Sequence, residues 1–139
     1  MKFFLAVGLG LSIVASAAAS NAIHWGRDYE TAVKAATKSH KLMMVDMFTD
    51  DCVWCRRLDA YVYPSKEVLK ESGNFVPLKM NAEYEGRTAA GVYGVEGYPT
   101  VLFLNSNGDL VYKIIGYCPP AVFAKKMRLA LQAAKSHSG

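Results

Sequence analysis

Cysteine is scarce in this sequence, with three among 139 residues. Three cannot build the multi-bridge framework that holds small secreted scaffolds, so the fold has to rest on an apolar core. A marked excess of either charge is also lacking. The 16 Lys and Arg stand against 12 Asp and Glu, and the basic residues are scattered rather than gathered into a stripe interleaved with aromatics. That removes the electrostatic footprint of a nucleic-acid binder. Past the first 22 residues there is no apolar run long enough to cross a bilayer. There is also no internal repeat, low-complexity tract or inter-domain linker. What remains is a chain with 52% hydrophobic residues, enough for one domain around one core.

The first 22 residues differ in kind. Lys2 gives a short positive start, and residues 3–15 form an apolar stretch of about 13, the length of a signal h-region and too short for a transmembrane helix. Ala17-Ala18-Ala19 fits an A-x-A cleavage site, and Ser20-Asn21-Ala22 is a second option. No cysteine follows, which argues against a lipoprotein. The expectation is a removed secretory leader at 1–22, with an uncleaved anchor as the alternative. The domain at 23–139 then works in the periplasm or another exported space, without stable membrane insertion, where glutathione does not hold thiols reduced.

Asp28 can cap a helix over Tyr29–Ser39, and the near-continuous apolar run Leu42–Phe48 reads as a buried central strand. Thr49, Asp50 and Asp51 offer caps for a helix over 52–62 that Pro64 stops. Ser65 can cap a short helix to Ser72, closed by Gly73. A strand over 75–80, a short helix over 87–93 ended by Gly94, and a strand over 100–105 follow. Asn107-Gly108 then signals a hairpin that returns as Leu110–Ile115. Gly116 breaks this strand and Pro120 opens the last helix. The order α-β-α-α-β-α-β-β-α predicts an α/β fold, a mixed sheet with helices on both faces.

Cys52-Val53-Trp54-Cys55 falls where the buried strand hands over to a helix. A cysteine at a helix N-terminus faces unpaired backbone N–H groups and the positive end of the dipole, which favour its thiolate. Cys52 is the candidate exposed nucleophile. Cys55, one turn on, is the candidate buried thiol that resolves a mixed disulfide. C-x-x-C also serves metal sites and plain structural bridges. A metal needs two further ligands, and Cys118, His24, His40 and His137 show no zinc-like spacing. A bridge closing so short a loop adds little stability. Asp46 is the one charge inside the apolar strand, six residues before Cys52.

These residues resemble the thioredoxin superfamily. Residues 42–48 followed by Cys52-x-x-Cys55, the segment Gly97-Tyr98-Pro99-Thr100, and Gly116 after the hairpin match its strand, active site, cis-proline loop and bordering glycine. The likeness spans 29–134. The run Cys55-Arg56-Arg57-Leu58 is similar to thioredoxin-like domains of bacterial periplasmic electron-transfer proteins. The resemblance implies a thioredoxin fold with a mixed sheet of four to five strands. It implies a cis bond at Pro99, a substrate strand laid along Tyr98, and a buried acid at Asp46 that takes the Cys55 proton. Lys79 is a possible partner of that acid, an exposed strand lysine being the equal alternative. Trp54 is a candidate partner contact, or a cover for the disulfide. Cys118 is expected near the same surface, either as a second thiol or as a bystander.

No cofactor beyond the Cys52–Cys55 couple and no metal is implied. The expected activity is a protein-disulfide reductase type of thiol–disulfide oxidoreductase. Its partners are cysteine-containing exported proteins, and its electrons come from a membrane or upstream thiol donor. A dithiol oxidase or isomerase, and a non-catalytic peptide-binding module, are the alternatives.

Overall fold

The computed structural model describes residues 21–136. The leader expected over 1–22 lies outside these residues apart from Asn21 and Ala22, and so does His137. Four strands, β1 (Leu42–Phe48), β2 (Phe75–Asn81), β3 (Thr100–Leu104) and β4 (Leu110–Ile115), form one sheet in the order β2-β1-β3-β4. β1 pairs parallel with β2 and antiparallel with β3, which pairs antiparallel with β4. The predicted mixed sheet is present, at the lower end of four to five strands. A parallel bridge between Gly26 and Leu78 lays the N-terminal segment along the outer edge of β2.

The strand alternation sorts β1 into two layers. Met43, Val45 and Met47 pack with Ala32 and Ala36 of α1 (Tyr29–Ser39) and Ala90 of α4 (Arg87–Val92). Leu42 and Met44 pack with Val68 of α3 (Lys66–Ser72) and with Phe123 and Met127 of α5 (Pro120–Ser136). Burial on both faces is why the strand is apolar almost throughout. By the same alternation Asp46 belongs to the α3 and α5 layer. Phe123 is fully buried there, its ring 5.6 Å from that of Tyr63. Phe123→Ala should therefore cost about 3–5 kcal/mol in urea unfolding. A loss below about 1 kcal/mol would contradict this packing.

Several local expectations need correction. The helix after β1 begins at Val53, and its cap is Cys52 itself rather than Thr49, Asp50 or Asp51. It is not uniform either. α2 (Val53–Arg57) runs into a wider π-type turn over Leu58–Val62, closed by the Tyr63 N–H donating to the Leu58 carbonyl at 2.9 Å. Gly73 ends α3 in a right-handed conformation, φ −61°. The left-handed closure occurs instead at His40 after α1, φ 55°. The hairpin connection takes residues 105–109. There Asn105 Oδ1 accepts from the backbone N–H groups of Asn107 and Asp109, and Gly108 supplies a positive φ of 83°. Asp28 and Ser65 cap α1 and α3 as expected.

Candidate functional site

The site starts where β1 ends. Burial of β1 fixes the position at which the chain emerges, and Cys52 follows as the N-cap of α2. Cys52 and Cys55 are joined in a disulfide with their Cα atoms 5.2 Å apart. The Cys55 backbone N–H donates to Cys52 Sγ at 3.0 Å. Cys52 is partly open to solvent, whereas Cys55 is 4% exposed. The two sulfurs thus differ in access as the sequence predicts. α2 has no acidic residue in its first turn, so no nearby side-chain charge of that turn opposes an anion at Cys52.

Two further loops meet this one. The Tyr98–Pro99 bond is cis. The Gly116 N–H donates to the Pro99 carbonyl at 2.8 Å, tying the loop before β3 to the loop after β4. Gly116 has φ 78°, a left-handed conformation in which a side chain is strained even though space is open around it. Tyr117, next in the chain, holds its ring 5.4 Å from that of Trp54. The Arg57 guanidinium covers the Trp54 ring at 4.9 Å. Trp54 is still 50% exposed. Trp54, between the two cysteines, thus meets Tyr117, which follows Gly116, and Gly116 is bonded to Pro99; Pro99 itself is buried and Tyr98 half-buried.

A buried ionic cluster stands at Asp46 of β1. Asp46 is 1% exposed. Its Oδ2 pairs with Lys79 Nζ at 2.9 Å, and the same ammonium pairs with Asp59 Oδ1 at 2.6 Å. Asp46 and Lys79 face each other because they are register partners across the parallel β1–β2 pair. Burial raises the Asp46 carboxyl above its ordinary value, and the Lys79 charge offsets part of that rise. Its Oδ1 and the Tyr63 hydroxyl are both buried, interact with each other and have no other hydrogen-bond partner. Burial, then the Asp46 charge, push the Tyr63 phenol well above its usual range.

Asp59 and Tyr63 are site residues that the sequence did not single out. Asp59 lies in the π-type turn and Tyr63 caps it, and both reach Lys79. The available signal was spacing, since Asp59 follows Cys55 by four residues and so shares its helix face.

Cys118 is free, 8% exposed and packed in the α5 layer. Burial raises its thiol pKa and Lys126 partly offsets the rise, which disfavours the thiolate. Among the described residues, no three or more His, Cys, Asp or Glu side chains are grouped to hold a metal.

Comparison with known proteins places these features. Residues 29–131 match the profile of the family described as thioredoxin-like domain. Over 104 residues the chain is 28% identical to the thiol:disulfide interchange protein DsbD of Pseudoalteromonas atlantica, covering 70% of this chain and 17% of that protein. It is 31% identical over 94 residues to the chloroplastic thioredoxin-like protein HCF164 of Oryza sativa subsp. japonica, covering 67% of this chain and 35% of that one. The chain thus spans well under half the length of these relatives. A solution structure from Bacteroides thetaiotaomicron, provisionally called a disulphide-isomerase, superposes with a TM-score of 0.71 at 36% identity, over 81% of this chain and 95% of that one. The fold is the thioredoxin fold.

Proposed function

This chain belongs to the thioredoxin-like family, and we propose that it is an exported thiol–disulfide oxidoreductase that reduces disulfides on cysteine-containing exported proteins. The observation that carries the reading is the unequal burial of two bonded cysteines at a helix start. In the reduced form the Cys52 thiolate attacks one sulfur of a partner disulfide. A Cys52–partner bond forms and the other partner sulfur leaves as a thiolate. Cys55 then loses its proton to Asp46, and its sulfur attacks Cys52 Sγ. The Cys52–Cys55 disulfide forms and the second partner thiolate leaves. Two electrons have passed to the partner, and an upstream thiol donor restores the dithiol.

Helix geometry favours the first step, because the Cys55 N–H already points at Cys52 Sγ. Burial favours the second, because a carboxylate held in a dry site gains by taking a proton. Lys79 and Asp59 give that proton a way to solvent, since Asp59 is 48% exposed. Export rests on the leader read in residues 1–22.

The equilibrium potential of the Cys52–Cys55 couple against glutathione tests the direction. A value near about −270 mV fits a reductant, and one near about −120 mV an oxidant, which would reverse the assignment. Trp54, Tyr98, Pro99 and Gly116 form the partner platform in this reading. Trp54→Ala should raise KM for a protein disulfide about three- to tenfold, on the order of 1 kcal/mol of lost contact, while leaving the potential in place. An unchanged KM would remove Trp54 from the platform.

A further inference from the structure

Beside the buried ionic cluster, at the sheet edge that carries the N-terminal segment, lies a cleft of about 390 Å³ walled by Trp25, Arg27, Phe48, Asp59, Tyr63 and Lys79. Trp25 is fixed in place by the backbone beside it. The Gly26 N–H donates to the Pro77 carbonyl at 2.9 Å, and the Lys79 N–H donates to the Gly26 carbonyl at 3.0 Å. The Trp25 ring lies 4.8 Å from the Tyr63 ring and 5.3 Å from the Lys79 ammonium. Phe48 and Tyr63 stand at 5.3 and 5.5 Å from that same ammonium. Three aromatic rings therefore surround the cation that bridges Asp46 and Asp59.

We propose that Trp25 is a positioning residue of the redox reaction, whose ring at the cleft wall shields the Lys79 ammonium so that Asp46 exchanges with water only through the ammonium and Asp59. The proposal rests on the role of Asp46 as proton acceptor for Cys55. The groups that face Asp46 are Lys79 from β2 and Asp59 and Tyr63 from the π-type turn and its end. Arg27 stands at the cleft wall on the N-terminal segment, and Cys118, ahead of α5, acts on Tyr63. On β3 the register partner of Asp46 is Val101, which carries no charge. Removing the indole lets water reach the cluster, and hydration favours the ionised carboxylate.

The experiment is the reduction potential of the protein against glutathione, measured across pH, for wild type, Trp25→Ala, Trp25→Phe, Asp46→Asn and the Trp25→Ala/Asp46→Asn double variant. The break in the curve that Asp46→Asn abolishes should move to lower pH in Trp25→Ala by about half a unit or more. It should return towards the wild-type position in Trp25→Phe, which keeps a ring over the ammonium. In the Asp46→Asn background Trp25→Ala should change nothing further. A break that stays put or moves to higher pH in a folded Trp25→Ala protein overturns the role of Trp25, and so does an equal shift in the Asp46→Asn background. If the alanine variant fails to fold, Trp25→Leu carries the same expectation and the same refutation. A curve unaffected by Asp46→Asn overturns instead the relay on which the proposal stands.

Discussion

Cys52→Ser will abolish reduction of a protein disulfide such as that of insulin, and Cys55→Ser will accumulate mixed disulfides with partners. The two outcomes differ because the two sulfurs do. Cys52 is partly exposed at the cap of α2, and Cys55 is buried one turn below it. A serine at position 52 leaves no sulfur that a partner can reach, because the remaining thiols, Cys55 and Cys118, are both buried. Turnover should fall to the uncatalysed level, a loss of at least about 10³-fold. A serine at position 55 leaves the attacking sulfur intact and removes the one that releases the partner. The product is then a covalent adduct, visible on a non-reducing gel and released by dithiothreitol. Full turnover by either variant would end the two-step mechanism.

Asp46→Asn should slow the reaction about 100-fold at neutral pH, within the span usual for loss of a general base. It should also make the protein more stable there. Burial raises the Asp46 carboxyl above the ordinary 3.8. Between that value and the raised one, the folded state binds more protons than the unfolded state, so folding stability falls as pH climbs through the window. The stability is fully present below the ordinary value and stays reduced above the raised one. Asparagine has no such loss. Lys79 keeps Asp59 as a partner, so the substitution does not strand the ammonium. The gain should be present near pH 8 and vanish near about pH 3, read from urea unfolding at both. A variant less stable at pH 8 would mean that Lys79 compensates the buried charge in full.

The chemistry was legible because it is local. A buried strand, a C-x-x-C at the start of a helix and one acid within an apolar run are all readable from neighbouring residues. Lys79 was left undecided for a physical reason. Its closeness to Asp46 depends on strand register, which sequence spacing does not fix, and the parallel pairing of β1 with β2 settles it. Asp59 and Tyr63, four residues apart, share a helix face, but what that face meets is Lys79 of β2, a contact between distant segments that sequence spacing does not fix. Trp25 lies outside every predicted element. Only the bridge at Gly26 brings it to the cluster. Gly73 misled because glycine permits a left-handed closure without requiring one.

The hydrogen bond from Gly116 to Pro99 welds two loops that the chain reaches about seventeen residues apart, while Tyr117 leans across to Trp54 of the disulfide loop. Segments after β1, before β3 and after β4 thus gather at one end of the sheet, where the Trp54 ring is exposed while Asp46 and Lys79 are buried. Taste and reactivity are separable in such a design. Under the proposed function, altering the outer rings would change which partners bind without resetting the sulfur couple.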